Sequence, residues 1–236
     1  MQFFGRNGFG TRNNNDRNDL RENLDDTAIE HLHGFYAGTQ IGSHLGWRPV
    51  EAIAVGDFVM TFDNGMQRVE AVTRGRNFGS QSRQDGVILP LEIPVRVFGN
   101  SRPIVLLPEQ CVIVESDAGE KLFGDPFSLI PSAALPGFKG VRHLDHCAPY
   151  EVVTLHFEKD EVIYAEGSSL IFCPSYIAGT ATDAFADGEL KAKPYIPLSH
   201  SEAKLLLEHI SNDPSWEETV QNTQRDGWER AAAFAV

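Results

Sequence analysis

Residues 48–65 read RPVEAIAVGDFVMTFDNG, and the pattern of this stretch decides the fold. Around Asp57 apolar and polar residues begin to alternate. Phe58, Met60 and Phe62 then share one face, because strand side chains alternate with period two. Asp63-Asn64-Gly65 supplies a hairpin turn, since Asn and Gly accept positive φ, and Val69 and Val72 carry the returning strand. Glu51 and Asp57 are expected to brace turns by accepting backbone N–H groups rather than to form an acid–base pair. Trp47, Phe58 and Phe62 are expected in the core, and Ser43 and His44 on the surface.

Further strands are expected at Leu91–Phe98, Ile104–Leu107, Cys111–Glu115, Val152–Phe157 and Val162–Glu166. Pro and Gly punctuate the joints between them. Many short strands with no long helical period indicate a mainly β domain. Residues 1–33, rich in Gly, Asn, Asp and Arg over 1–26, read as a flexible N-terminal arm; DDTAIEHLHG, residues 25–34, could add one helical turn. The β domain is assigned to 34–176, and 177–236 to a partly helical C-terminal extension. In that extension SHSEAKLLLEHI, residues 199–210, reads as a helix. Ser199 or Ser201 would cap it, with Ala203, Leu206, Leu207 and Ile210 on one side. Asp213 and Pro214 open a second helix that Gly227 would interrupt or end.

The formal net charge of −13 over 236 residues repels phosphate backbones and anionic lipid, which argues against nucleic acid and membrane surfaces as partners. The three cysteines, Cys111, Cys147 and Cys173, are too few and too scattered for a disulfide framework. No apolar run reaches the ~20 residues of a membrane helix, and the N-terminus lacks a Sec-type signal. The chain is expected to be soluble and cytoplasmic.

Several blocks, in order, carry a resemblance: AGTQI, RPVEAIAVGDFVMTFDNG, PVRVFGNSRPIVLLPEQCVIV, KLFGDPFSLIPSAAL and EVVTLHFEKDEVIYAEG. From Ala37 to Pro174 the chain resembles the Hint (Hedgehog/intein) domain of bacteria, in its stand-alone form. The resemblance implies an all-β, horseshoe-like disc with pseudo-twofold halves. It also implies autoprocessing, in which a Cys, Ser or Thr at the domain's first residue attacks the preceding carbonyl with help from a histidine.

The residues at those positions cannot do this. Set against the usual CF-x-x-GT opening, GFYAGT places Gly34 where the nucleophile belongs, and glycine has no side chain. In the Thr-x-x-His element, LPEQ places Leu107 at the hydroxyl position and Gln110 at the imidazole position. Gln can donate a hydrogen bond but cannot transfer a proton near neutral pH. In the late strand pair the two histidine positions fall on Thr154 and Asp160. His156 stands two residues from the first of them, on the same strand face.

The expectation is therefore a Hint-domain protein that has lost autoprocessing and serves as a structural or protein-binding module. It would engage a protein partner or larger assembly through its N-terminal arm and C-terminal tail, with no cofactor. The alternative is an active self-cleaving domain with a displaced nucleophile, Cys111, and His156 as its base; Cys111 reads more readily as a buried, inert thiol. The histidines of HLDHC, His143 and His146, with Cys147, His31 and His33, match no standard zinc spacing and read as a polar loop. Glu166 is expected to brace a turn. Trp216 and Trp228 either anchor a partner or dock the tail onto the disc.

Overall fold

The computed structural model describes residues 33–77, 89–145, 150–175, 195–220 and 222. The expectations for the arm, for residues 25–32 and for His31, His146, Cys147, Gly227 and Trp228 lie outside them.

The stretch quoted first forms a hairpin, β4 (Phe58–Thr61) and β5 (Gly65–Arg68), with Met60 opposite Met66. Gly65 takes φ +66° in the turn. Thr61 Oγ1 donates to the Gly65 carbonyl at 2.8 Å. Before it, β2 (Gln40–Ser43) and β3 (Gly46–Pro49) form another hairpin. After it, β6 (Ala71–Asn77) is followed by β7 (Leu91–Ile93), β8 (Ile104–Leu106) and β9 (Cys111–Glu115).

Downstream come β10 (Phe127–Pro131), β11 (Arg142–His143), β12 (Tyr150–His156), β13 (Glu161–Ala165) and β14 (Ser169–Cys173). With the short β1 (Phe35–Tyr36), these strands make three sheets. The largest runs β10-β9-β14-β13-β2-β4-β5, with β3 attached to β2. A second is β1-β12-β6 and a third β11-β7-β8. Every registered strand pair is antiparallel.

The main core lies between these sheets and includes Ile41, Val59, Ile93, Leu106, Val112, Val153, Ile163 and Ile171. Fully burying one such side chain contributes about 1.5–3 kcal/mol. A second apolar cluster with Met60, Cys111, Ile113, Leu129, Val162 and Tyr164 is ringed by half-buried Trp47, Phe62, Phe127 and Tyr195.

Three acidic side chains brace turns as expected. Glu51 accepts from the Gly38 amide at 2.7 Å, Asp57 from the Ala54 amide at 3.0 Å, and Glu166 from the Gln40 amide at 2.8 Å. Glu166 does more. Its carbonyl accepts from the Ser101 amide, and its carboxylate pairs with Arg102 at 2.9 Å. It takes φ +47°, uncommon for a residue with a Cβ, and these contacts hold it there.

Several expectations are corrected. The strand read over Leu91–Phe98 stops at Ile93: Pro94 follows it, and Arg96 takes φ +70° in the turn beyond. Phe58 is 43% exposed rather than core, because it sits at the outer end of β4 against Arg68 and the His44 ring. Ser43 is buried, its hydroxyl donating to the Gly46 carbonyl. His143 lies in β11, not in a loop, and its Nδ1 meets the Leu89 carbonyl at 3.0 Å.

One helix lies within the disc region, α1 (Asp117–Phe123), capped by Ser116 and stopped by Gly124 at φ +80°. In the tail, α2 (His200–Ser211) begins with a capping box between Ser199 and Glu202. It buries Ala203, Leu206, Leu207 and Ile210 against the disc's core. Residues 216–220 are helical too. Trp216 is buried and meets the Phe138 ring edge-on, so this tryptophan docks the tail.

Candidate functional site

The doorway is built where β1 joins β12. Phe35 pairs with Val153, which seats Gly34 beside Val152 and Thr154. Gly34 takes φ +119°, in the half of φ space that L side chains rarely adopt. A Cβ there would stand 2.7 Å from Thr154 Oγ1, 2.8 Å from Val152 Cγ1 and 3.0 Å from the Val153 carbonyl oxygen. Residue 34 thus carries no side chain, and its neighbours fill the room one would need.

Beside Gly34 lies a cleft of about 10 Å³ lined by His33, Gln110, Thr154, Phe172 and Cys173, among others. That is at the lower limit of the space that admits one water. Thr154 Oγ1 donates to the His33 carbonyl at 3.2 Å, so the peptide that family chemistry would cleave keeps one polarising donor. Gln110 is 2% exposed, and its Oε1 has no hydrogen-bond partner among the described residues. The Gln110 backbone is pinned, its amide donating to the Leu107 carbonyl and its own carbonyl accepting from Ser132.

The His33 imidazole turns to the carboxylate of Glu109, Nε2 to Oε2 at 3.3 Å. Burial lowers the His33 pKa from 6.5 by more than Glu109 raises it, so the ring is neutral at pH 7. His156 lies further along β12, its Nε2 2.9 Å from the hydroxyl of Thr73. Asp160 faces elsewhere and accepts from the Ser175 amide and hydroxyl at 2.8 and 3.0 Å. Cys111 belongs to the second apolar cluster and does not line the cleft. Burial pushes its thiol up to about 11. Of the sequence candidates, the structure brings Gly34, Gln110 and Thr154 together, and leaves Cys111, Asp160 and His156 out of the cleft lining.

Sequence reasoning gave Cys173 no role there. It lines the cleft because β14 runs antiparallel to β9 with Ile171 opposite Val112, which carries Cys173 alongside Gln110. Its only sequence signal is its place at the domain's C-terminal edge. The thiol is 4% exposed, and burial, with a smaller contribution from the Glu161 charge, raises its pKa far above the ordinary thiol value. It is therefore protonated at neutral pH and a poor nucleophile. Among the described residues no group of three or more His, Cys, Asp and Glu side chains could hold a metal ion. None of their helices is long and apolar enough to cross a membrane.

Comparison with known proteins places this geometry in a family. The chain is similar in structure to a bacterial intein-like domain from Clostridium thermocellum, at 12% identity and a TM-score of 0.44, over 60% of this chain and 99% of that one. It is also similar to the gp41-1 intein, at 12% identity and a TM-score of 0.36, over 60% and 98% of the two chains. A third is the MchDnaB-1 intein, at 15% identity and a TM-score of 0.35, over 58% and 98%. No curated protein matches the chain significantly. The family model described as Hint domain matches residues 33–179, more than half of the sequence, and the chain therefore belongs to the Hint domain family.

Proposed function

We propose that this Hint domain has lost autoprocessing and serves as a structural or protein-binding module. The observation that carries the reading is the filled space at Gly34. An acyl shift needs a sulfur or oxygen atom beside the His33 carbonyl, and there the backbone offers only hydrogen while Thr154 and Val152 crowd the site. Gln110 and Thr154, at positions where the family carries histidine, supply no proton acceptor that works near pH 7. Intact-mass measurement of the purified chain over hours, with and without dithiothreitol, tests the reading. A single unchanged mass is expected; fragments from a break near residue 33 would overturn it.

A second reading, self-cleavage by a displaced nucleophile, draws on one observation: Cys173 shares the cleft with the His33–Gly34 peptide, whose carbonyl Thr154 polarises. Cys173 thereby replaces Cys111 as its best candidate. The reading lacks a base, since no described side chain hydrogen-bonds the Cys173 thiol and burial keeps it protonated. If fragments do form, their loss in Cys173→Ala and survival in Cys111→Ala would favour it.

A further inference from the structure

We infer that His33 is a latch that closes the vestigial cleft over Cys173. Two tethers hold it. The imidazole pairs with Glu109 at 3.3 Å, and the carbonyl accepts from Thr154 Oγ1 at 3.2 Å. Both are weak by nature. The neutral His33 ring and the Glu109 carboxylate share one hydrogen bond between side chains 31% and 57% exposed, where water competes for it, and the second tether is a single neutral hydrogen bond. Gly34, the adjoining residue, has no side chain to lock the segment to the cleft. By contrast Cys173 is 4% exposed and stands in a registered strand, opposite Glu161 of β13. Local opening at His33 therefore occurs far more often than loss of β14, and it uncovers the thiol. The Thr154 tether joins the position where the nucleophile's neighbour carbonyl sits to the strand that crowds Gly34, so the latch regulates access to the site whose inertness is proposed above. It rests on that reading only in taking the cleft as unreactive: cleavage would appear as fragments, whereas latch opening appears as access alone.

Alkylation by N-ethylmaleimide at one fixed pH, read by peptide mapping, tests this in the full chain. Cys173 is the reporter, and Cys111, in the second apolar cluster, is the control for general loosening. Glu109→Gln should raise the Cys173 rate about twofold to fivefold, the change expected when an exposed hydrogen bond to a carboxylate is weakened to a neutral one. Thr154→Val, which keeps the side-chain volume and removes the donor, should raise it by a similar factor. Cys111 should be unaffected in both. The other route to Cys173 is the end of β14, where Asp160 holds Ser175. Acceleration by Asp160→Asn with no effect of Glu109→Gln or Thr154→Val would overturn the latch. So would parallel acceleration of Cys111, or no change at Cys173 in either latch variant.

Discussion

Replacing Gly34 with alanine tests whether the doorway is closed by packing as well as by chemistry. The added Cβ would meet Thr154 Oγ1 at 2.7 Å, Val152 Cγ1 at 2.8 Å and the Val153 carbonyl at 3.0 Å, the last of which is backbone and cannot rotate away. Overpacking of this kind costs about 1–3 kcal/mol. The φ of +119° adds about 1–2 kcal/mol for any L side chain. Gly38 provides the control: its φ is +92°, but nothing lies within 4 Å of its Cβ position. Gly38→Ala therefore carries the conformational cost without the collision. Thermal and urea unfolding of both variants should show Gly34→Ala the less stable by about 1–3 kcal/mol, the collision alone. In a domain of this size that is a gap of roughly 2–12 °C in Tm. Equal destabilisation of the two would refute the reasoning. Gly34→Cys should be destabilised likewise and, lacking a base beside it, should release no fragments.

Glu161 is buried, chiefly desolvated, and its pKa lies above 4.5 despite two contacts from the Asn64 amide. A raised acid pKa means the folded state holds the proton more tightly, so its charge weakens the fold at neutral pH and the penalty is relieved as pH falls through the folded value. Glu161→Gln should match or exceed wild-type stability at pH 7 and flatten that part of the pH profile; an unchanged slope would exclude Glu161 as its source. His33 works in the opposite sense: its folded pKa is below 6.5, so its contribution is intact above pH 6.5 and is lost as pH falls through the lower folded value. His33→Gln should remove that loss in urea titrations across mildly acidic pH. Glu166→Ala leaves the Gln40 amide and the Arg102 guanidinium without their acceptor, and should cost about 2–4 kcal/mol by the same unfolding assay.

Local signals carried much of the fold. The period of two at Met60 and Phe62, ended by Asn64-Gly65, depends only on neighbours in sequence, and the hairpin stands as read. The bracing role of Asp57 was also legible, because a short acidic side chain beside a tight turn finds a nearby backbone amide; Glu51 and Glu166 brace as expected, but through the Gly38 and Gln40 amides, which only the fold brings to them. The α1 helix was missed although Ser116 and Gly124 bracket it, since Gly119 inside so short a segment weakens any helical pattern. The site was legible only in part. The sequence shows glycine at residue 34, but not that Thr154 and Val152 stand against that position. That depends on the pairing of β1 with β12, more than a hundred residues apart. Cys173 was hidden for the same reason: its place beside Gln110 follows from the register of β14 on β9, which no local pattern encodes.

On the proposed non-cleaving reading, the chemistry and the packing at Gly34 reinforce one another. With a side chain at residue 34, Thr154 Oγ1 and Val152 Cγ1 could not stand where they do, so the crowded arrangement is compatible only with glycine. On that reading β12 needs no base, and the Thr154 hydroxyl that reaches the His33 carbonyl stabilises the seam by about 1 kcal/mol. A nucleophile placed at residue 34 would meet the Thr154 hydroxyl and the Val153 carbonyl. On the proposed non-cleaving reading, packing at Gly34 and the missing nucleophile act together to close the doorway, while the Glu166 joint between β13, β2 and the loop at Ser101 holds the surrounding fold.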